Sequence, residues 1–320
     1  MNSRLPSVLI KQLSRASICL FLLVAPAHAQ SELNLKGVID TRVHTSPDDV
    51  ARSIDADDFA RLAKQNGMRG LVLTDHWEST AALAYMVRKE VPGIEIFGGV
   101  EMDQSVGGIN VEAVKRMTMM KGGWGKVVWL PTFDGVTFTN WVKKAGEGRP
   151  YSTTLVPISK DGHLLPTVLE LLDFVAQHHE LLLETGHNSA DEALMVVHEA
   201  HQRGVTHIIV TGAMDPVVDM TIPQMQQAAR EGAYIEFAYS NAFGKKPERT
   251  MSEFADAIRK VGPQFCILST NFVDFPSHPQ ALLDFMQALH KEGISVADIN
   301  LMAKTNPALA LGLEPPPSAR

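Results

Sequence analysis

The sequence predicts an α/β fold, specifically a (β/α)8 TIM-like barrel with a long loop after strand four. Three observations carry that prediction. Short apolar, β-branched runs alternate with longer amphipathic stretches from end to end, eight such units occur, and several of the amphipathic stretches stop at a glycine. Short buried runs followed by helical patterns read as βα units with a parallel sheet, and a glycine just past the last turn is a common helix stop. Eight units suit a barrel; an open doubly wound sheet is the competing architecture.

Taken in order, the strands are expected at Gly37–Thr41, Gly70–Thr74, Glu95–Gly99, Lys126–Leu130, Leu181–Thr185, His207–Thr211, Ala233–Phe237 and Phe265–Ser269. Helices are expected at Ala56–Asn66, Thr80–Val91, Asn110–Met120, Leu165–His178, Ser189–Arg203, Ile222–Glu231, Ser252–Val261 and Pro279–Glu292, where apolar residues recur at three and four. Gly67, Gly204, Gly232, Gly262 and Gly293 end five of these. A short helix near Val296–Lys304 is expected to close the bottom or side of the barrel. One connection breaks the rhythm. Phe133 to Leu164 is far longer than the usual 2–6 residues of such loops. It contains Trp141, Tyr151, Lys143, Lys144 and Arg149, an aromatic and basic mixture suited either to covering a pocket and meeting an anion or to a solvated surface.

Residues 1–29 carry Arg4, Lys11 and Arg15, then the apolar run Ile18 to Val24, then Ala27-His28-Ala29. That is the layout of a cleavable secretory signal, so the barrel is expected over 30–320 and the location is expected to be periplasmic or secreted. The run is shorter than the roughly 20 residues a membrane span needs. Removing three cationic and no acidic residues takes the formal charge from −7 to −10, and no block of five basic residues occurs. Nucleic acid and stable membrane association are therefore poor expectations, and a small-molecule substrate is the better one. Only Cys266 remains after cleavage, which excludes an intramolecular disulfide. The chain has no Gly-x-Ser-x-Gly elbow and no Gly-x-Gly-x-x-Gly turn after a strand, which argues against a serine hydrolase and a dinucleotide binder.

In a barrel the functional groups come from the C-terminal ends of the strands. The polar residues there are Asp40, Arg42 and His44; Asp75, His76 and Glu78; Glu101 and Asp103; Thr132 and Asp134; Glu184 and His187; Asp215; Tyr239 and Asn241; and Thr270, Asn271 and Asp274. His44, His76, Glu101 and His187 make a sensible set for Zn, Mn or Fe. Such an ion would lower the pKa of bound water towards about 7, with Asp75 or Asp103 taking its proton or orienting a ligand imidazole.

Ile39-Asp40-Thr41-Arg42-Val43-His44-Thr45-Ser46-Pro47-Asp48, Leu73-Thr74-Asp75-His76, Gly98-Gly99-Val100-Glu101 and Leu268-Ser269-Thr270-Asn271 occur in that order. Together they resemble the ordered motifs of PHP (polymerase and histidinol phosphatase) and amidohydrolase-type barrels. The resemblance implies a divalent metal held by His44, His76, His187 and Glu101, the last as a bridge. It also exposes three departures: Arg42 replaces a first histidine, Thr211-Gly212-Ala213 lacks the histidine often found after strand six, and Asn271 replaces a final aspartate. Arginine has no lone pair with which to ligate. Two readings follow. In the first, a metal-dependent hydrolase uses the surviving ligands, with Arg42, Lys143 and Arg149 on an anionic substrate and Asn271 on water or substrate. In the second, Arg42 stands in for the metal charge, pairs with Glu101, and makes a metal-free anion-binding barrel, a pseudoenzyme or a metal-independent lyase.

Overall fold

The computed structural model describes Met1 and residues 33–48, 50–122, 124–145, 153–243, 247–272 and 276–316. Eight parallel strands follow one another in sequence order: β1 (Ile39–His44), β2 (Gly70–Thr74), β3 (Glu95–Glu101), β4 (Gly125–Trp129), β5 (Leu182–Glu184), β6 (Ile208–Val210), β7 (Tyr234–Ala238) and β8 (Cys266–Ser269). Helices α1 (Ala56–Gln65), α2 (Ala81–Glu90), α3 (Val111–Met119), α4 (Val136–Ala145), α5 (Pro166–Ala176), α6 (Ala190–Gln202) and α7 (Ile222–Arg230) separate them. The short α8 (Tyr239–Phe243) and α9 (Met251–Val261) lie between β7 and β8; α10 (Gln280–Lys291), α11 (Val296–Asn300) and α12 (Asn306–Ala310) follow. This is the expected barrel. Capping boxes at Ser189/Glu192, Thr221/Gln224 and Thr250/Glu253 start three of the helices.

The connection after β4 is more ordered than its sequence suggests. It holds α4, a bridge between Gly135 and Val156, and a two-stranded hairpin of Ser159–Lys160 with His163–Leu164. The α4 sequence Val-Thr-Phe-Thr-Asn-Trp-Val is rich in β-branched and aromatic residues of modest helix propensity. Burial of Phe138 and Val142 holds it instead. Tyr151 and Arg149 lie outside the described residues, as do residues 2–32 with the expected leader. No helix among the described residues is long and apolar enough to cross a membrane.

Two apolar clusters explain where the polar residues go. One lies between the sheet and its helices. The other fills the barrel with Ile39, Val72, Phe97, Val127, Trp129, Leu182, Ile209 and Ile267, plugged by Ala308, Ala310 and Leu311 of the C-terminal helical segment. Successive inward positions are two residues apart along a strand, so the next ones towards the C-terminal ends are Thr74, Glu101, Glu184, Thr211, Glu236 and Ser269, all buried. Gly99 shares this interior, where a Cβ would fall 2.1 Å from the Trp129 ring. In β1 the alternation breaks. Asp40 pairs with Leu71 but Val43 with Leu73, a bulge of one extra residue. The bulge returns Arg42 and His44 to the side of Ile39, inside the barrel.

The seam between β8 and β1 is joined by a side chain. Asp40 accepts from the Thr270 amide at 3.1 Å, the Thr270 hydroxyl at 2.6 Å and the Arg42 amide at 3.2 Å, while the Asn271 amide donates to the Arg42 carbonyl at 3.0 Å. Asp40→Ala leaves three buried donors without an acceptor, and the expected loss in urea unfolding is on the order of 3 kcal/mol. A loss below about 0.5 kcal/mol, the ordinary surface-mutation range, would mean the seam does not depend on it.

Candidate active site at the barrel mouth

Arg42, near the C-terminal end of β1, is 1 % exposed. Its Nη1 donates to Glu236 Oε2 at 3.2 Å and its Nη2 to His187 Nε2 at 3.0 Å. The expected pairing of Arg42 with Glu101 is therefore replaced by one with Glu236, because the bulge aims the guanidinium across the barrel towards β7 and the loop after β5. Burial opposes its charge, but Glu236, Asp215, Glu184 and Glu101 together hold its pKa above the ordinary arginine value. A guanidinium only donates, so His187 accepts at Nε2 and carries its proton at Nδ1. That nitrogen has no partner among the described residues. The Gly212 amide also donates to Glu236 Oε2, at 2.8 Å. A Cβ at Gly212 would fall 2.3 Å from the Asp215 carboxylate, so any side chain after strand six would require Asp215 to move.

His44 is equally committed. Arg52 Nη2 donates to its Nδ1 at 3.2 Å, which leaves Nε2 to donate to Asn271 Oδ1 at 3.3 Å. Burial, then Arg52, pushes its pKa well below the usual histidine value, and burial with Arg42 does the same to His187. Both imidazoles are neutral. Arg52 is itself anchored to Asp48 at 2.6 Å and to the Phe272 carbonyl at 3.3 Å. Asn271 reaches His44 from a left-handed backbone, φ 45°, which asparagine tolerates better than most residues.

His76 differs. Its Nδ1 lies 2.8 Å from Glu101 Oε2, and Glu101 also accepts from the Thr74 hydroxyl at 2.8 Å and from the Thr132 hydroxyl. Burial works against the charge on His76, but Glu101 raises its pKa, while His76 lowers that of Glu101 against the same burial. The pair is ionic. Thr132 lies 3.0 Å from Asp103 Oδ2 as well. Burial, then Glu101, pushes Asp103 up to about 7. Asp75, half-buried beside His76, accepts from the Trp77 amide at 2.7 Å, and burial pushes it up to about 6.

His76, Glu101 and Asp103 place ligand atoms within 4.8 Å of one another, the grouping a divalent ion would use. The lone pairs of Asp103 do not fit that role. A carboxylate has about four acceptor positions. Asp103 Oδ1 takes the Thr132 and Asp134 amides at 3.0 and 3.2 Å, and Oδ2 takes the Phe133 amide at 3.1 Å beside the Thr132 hydroxyl. A cation there would face backbone N–H groups. His44 has both nitrogens engaged, and His187 directs its free lone pair at Arg42. The four expected ligands thus line one mouth, but two arginines and Asn271 occupy the nitrogens of His44 and the accepting nitrogen of His187, and Glu101 already accepts three hydrogen bonds, which leaves His76 Nε2 as the open imidazole nitrogen.

The remaining expected residues scatter. Lys143 is exposed in the last turn of α4, and Arg149 and Asp274 lie outside the described residues. His178, His198 and His290 bond to Glu180, Glu231 and the Ile294 carbonyl, away from the mouth. Cys266 is buried, and burial raises its pKa. Sequence reasoning missed Glu236 and Arg52. Glu236 had a signal, a carboxylate in mid-strand between Ile235 and Phe237; Arg52 had only its spacing of four from Asp48.

The chain belongs to a family described as a family of unknown function (DUF6282), whose model matches residues 37–236. No curated protein matches it. Among solved structures it is similar to a candidate 2-pyrone-4,6-dicarboxylic acid hydrolase from Pseudomonas putida, at 14 % identity and TM-score 0.56, over 88 % of this chain and 99 % of that one. It is also similar to an organophosphate-hydrolysing protein engineered from a weak promiscuous lactonase template, at 14 % identity and TM-score 0.58, over 86 % and 95 %. A third is dipeptidase AC, a metallo peptidase, at 12 % identity and TM-score 0.52, over 87 % and 98 %. Likeness at these identities establishes the shared (β/α)8 fold.

Proposed function

We propose that this protein hydrolyses a small anionic molecule without a metal ion, with Arg42 supplying the fixed positive charge at the barrel mouth. One observation carries the reading: a buried guanidinium, hydrogen-bonded to Glu236 and His187, stands among residues that resemble a metal site. Guanidinium has five N–H donors. Two are accepted by described residues, and Nε is buried with no partner among them. The spare donors suit a substrate carboxylate or the oxygen that gains charge during acyl transfer.

The loop after β2 provides the acid and the base. Asp75 is held near pH 6, close to the operating pH where a general base is most effective. It removes a proton from water as the water oxygen attacks the substrate carbonyl. His76, kept charged through Glu101, gives its proton to the leaving group; Glu101 fixes the ring through Nδ1. Because Asp75 must be ionised, the rate should rise with pH through about 6. Asp75→Asn should remove that limb of the kcat/KM profile along with most of the rate; a profile that kept the limb would assign it to another group.

The shared fold with proteins described as a pyrone-dicarboxylate hydrolase and a lactonase-derived enzyme supports a screen of small carboxylate-bearing esters and lactones. The PHP-like strand-end motifs support the same hydrolytic reading. The expected result is turnover that persists in EDTA and disappears in Arg42→Met. Turnover that required added Zn, Mn or Fe would instead favour the metal-dependent form through His44, His76, Glu101 and His187. Binding without turnover would make the chain an anion-binding protein.

A further inference from the structure

We infer that the substrate anion is carried on a planar, unsaturated ring: an aromatic or heteroaromatic carboxylate. This deepens the proposed function and rests on its anion-binding claim. Side chains from three segments build an aromatic wall against the two histidines at the mouth. Phe138 of α4 stacks on the His187 ring, with centroids 5.6 Å apart and planes 19° from parallel. Phe133, after β4, lies 5.8 Å from the His76 ring, and Trp77, after β2, lies 4.8 Å from Phe133 in an edge-on arrangement. Phe138 and Phe133 are themselves 5.3 Å apart.

The wall is continuous with the charged centre, because His187 is the residue that accepts Arg42 Nη2. Phe133 and Trp77 are only partly buried, whereas the barrel's own aromatic residues Phe97, Phe237 and Trp129 are fully enclosed. Packing the core does not account for rings left partly exposed at the mouth. A second observation points to a polar ligand. The Trp77 indole Nε1 is buried and has no acceptor among the described residues, although a buried indole N–H usually finds one. A ring lying against Trp77 and Phe133, with its carboxylate on the spare Arg42 donors and a ring substituent oxygen at Trp77 Nε1, would use all three features. A flexible aliphatic carboxylate would use only the charge.

The test is calorimetric titration of the full chain with benzoate and with cyclohexanecarboxylate, which match in charge and size but not in planarity. Offset or edge-on ring contacts with two aromatic side chains predict benzoate binding about tenfold tighter. Trp77→Ala and Phe133→Leu should each erode that preference. Trp77→Phe, a conservative change that keeps a ring, should retain it and so separates lost stacking from lost folding. Equal affinity for the two acids would overturn the ring assignment while leaving anion binding intact. Failure of both acids to bind, with an unchanged melting curve in their presence, would overturn the anion-binding reading and this inference with it.

Discussion

Glu236→Gln is expected to destabilise the protein by about 3–5 kcal/mol, the usual range when one partner of a buried ion pair is removed. Glu236 is fully buried and accepts both the Arg42 guanidinium and the Gly212 amide on one oxygen. Its loss strands a cation that is 1 % exposed. Glu184 is the internal control, since it sits in the same polar layer, equally buried, and Thr211 donates to it at 3.1 Å. Burial, then the charge of Glu236, raises the Glu184 pKa well above the usual carboxylate value. Burial and Glu236 thus favour the neutral form of Glu184, and glutamine replaces that form with a neutral group of similar shape, at a cost of about 1 kcal/mol or less. Urea unfolding of the two variants at pH 7 distinguishes them. Similar losses in both would mean that the Arg42 charge is not balanced mainly by Glu236.

His76→Gln is expected to lower kcat on an alkyl ester or lactone by about 10²–10⁴, the usual contribution of a positioned general acid. The geometry makes the leaving group the diagnostic. Glu101 holds Nδ1 at 2.8 Å, so Nε2 is the atom from which a proton can pass to the substrate. A nitrophenolate leaves without protonation; a 4-nitrophenyl ester should lose far less rate in the variant than an alkyl ester does. The alkaline limb of the wild-type kcat/KM profile, set by deprotonation of His76, should disappear in the variant for the same reason. Equal losses on both substrates would show that His76 positions other groups or binds substrate rather than donating the proton.

The barrel is legible in the sequence because buried parallel strands are written as short apolar runs and each helix carries its own stop. Gly67 and Gly293, for example, have φ of 77° and 87° directly beyond α1 and α10. The helix α4 is not legible, because its Val, Thr and aromatic residues favour extended backbone until Phe138 and Val142 are buried. At the mouth, strand-end position alone leads to His44, His76, Glu101 and His187, because polar residues in that layer have few other places to go. Their chemistry is not so accessible. Which atoms are already bonded depends on Arg52, reaching in from the loop before α1, and on Glu236, two strand positions below the end of β7. The partner of Arg42 depends on a one-residue bulge between Asp40 and Val43, and the sequence shows no separate mark of it.

In the proposed function a guanidinium holds the place of a metal ion. The most direct measurement is elemental analysis of the protein, produced in cells supplied with zinc, manganese and iron and purified without chelator or an affinity metal. Less than about a tenth of an ion per chain is expected, because the ligand atoms of His44, His187 and Asp103 are committed to hydrogen bonds before any metal arrives and His76 Nε2 alone cannot hold an ion. One ion or more per chain, lost in His76→Ala or Glu101→Ala, would contradict the proposed function.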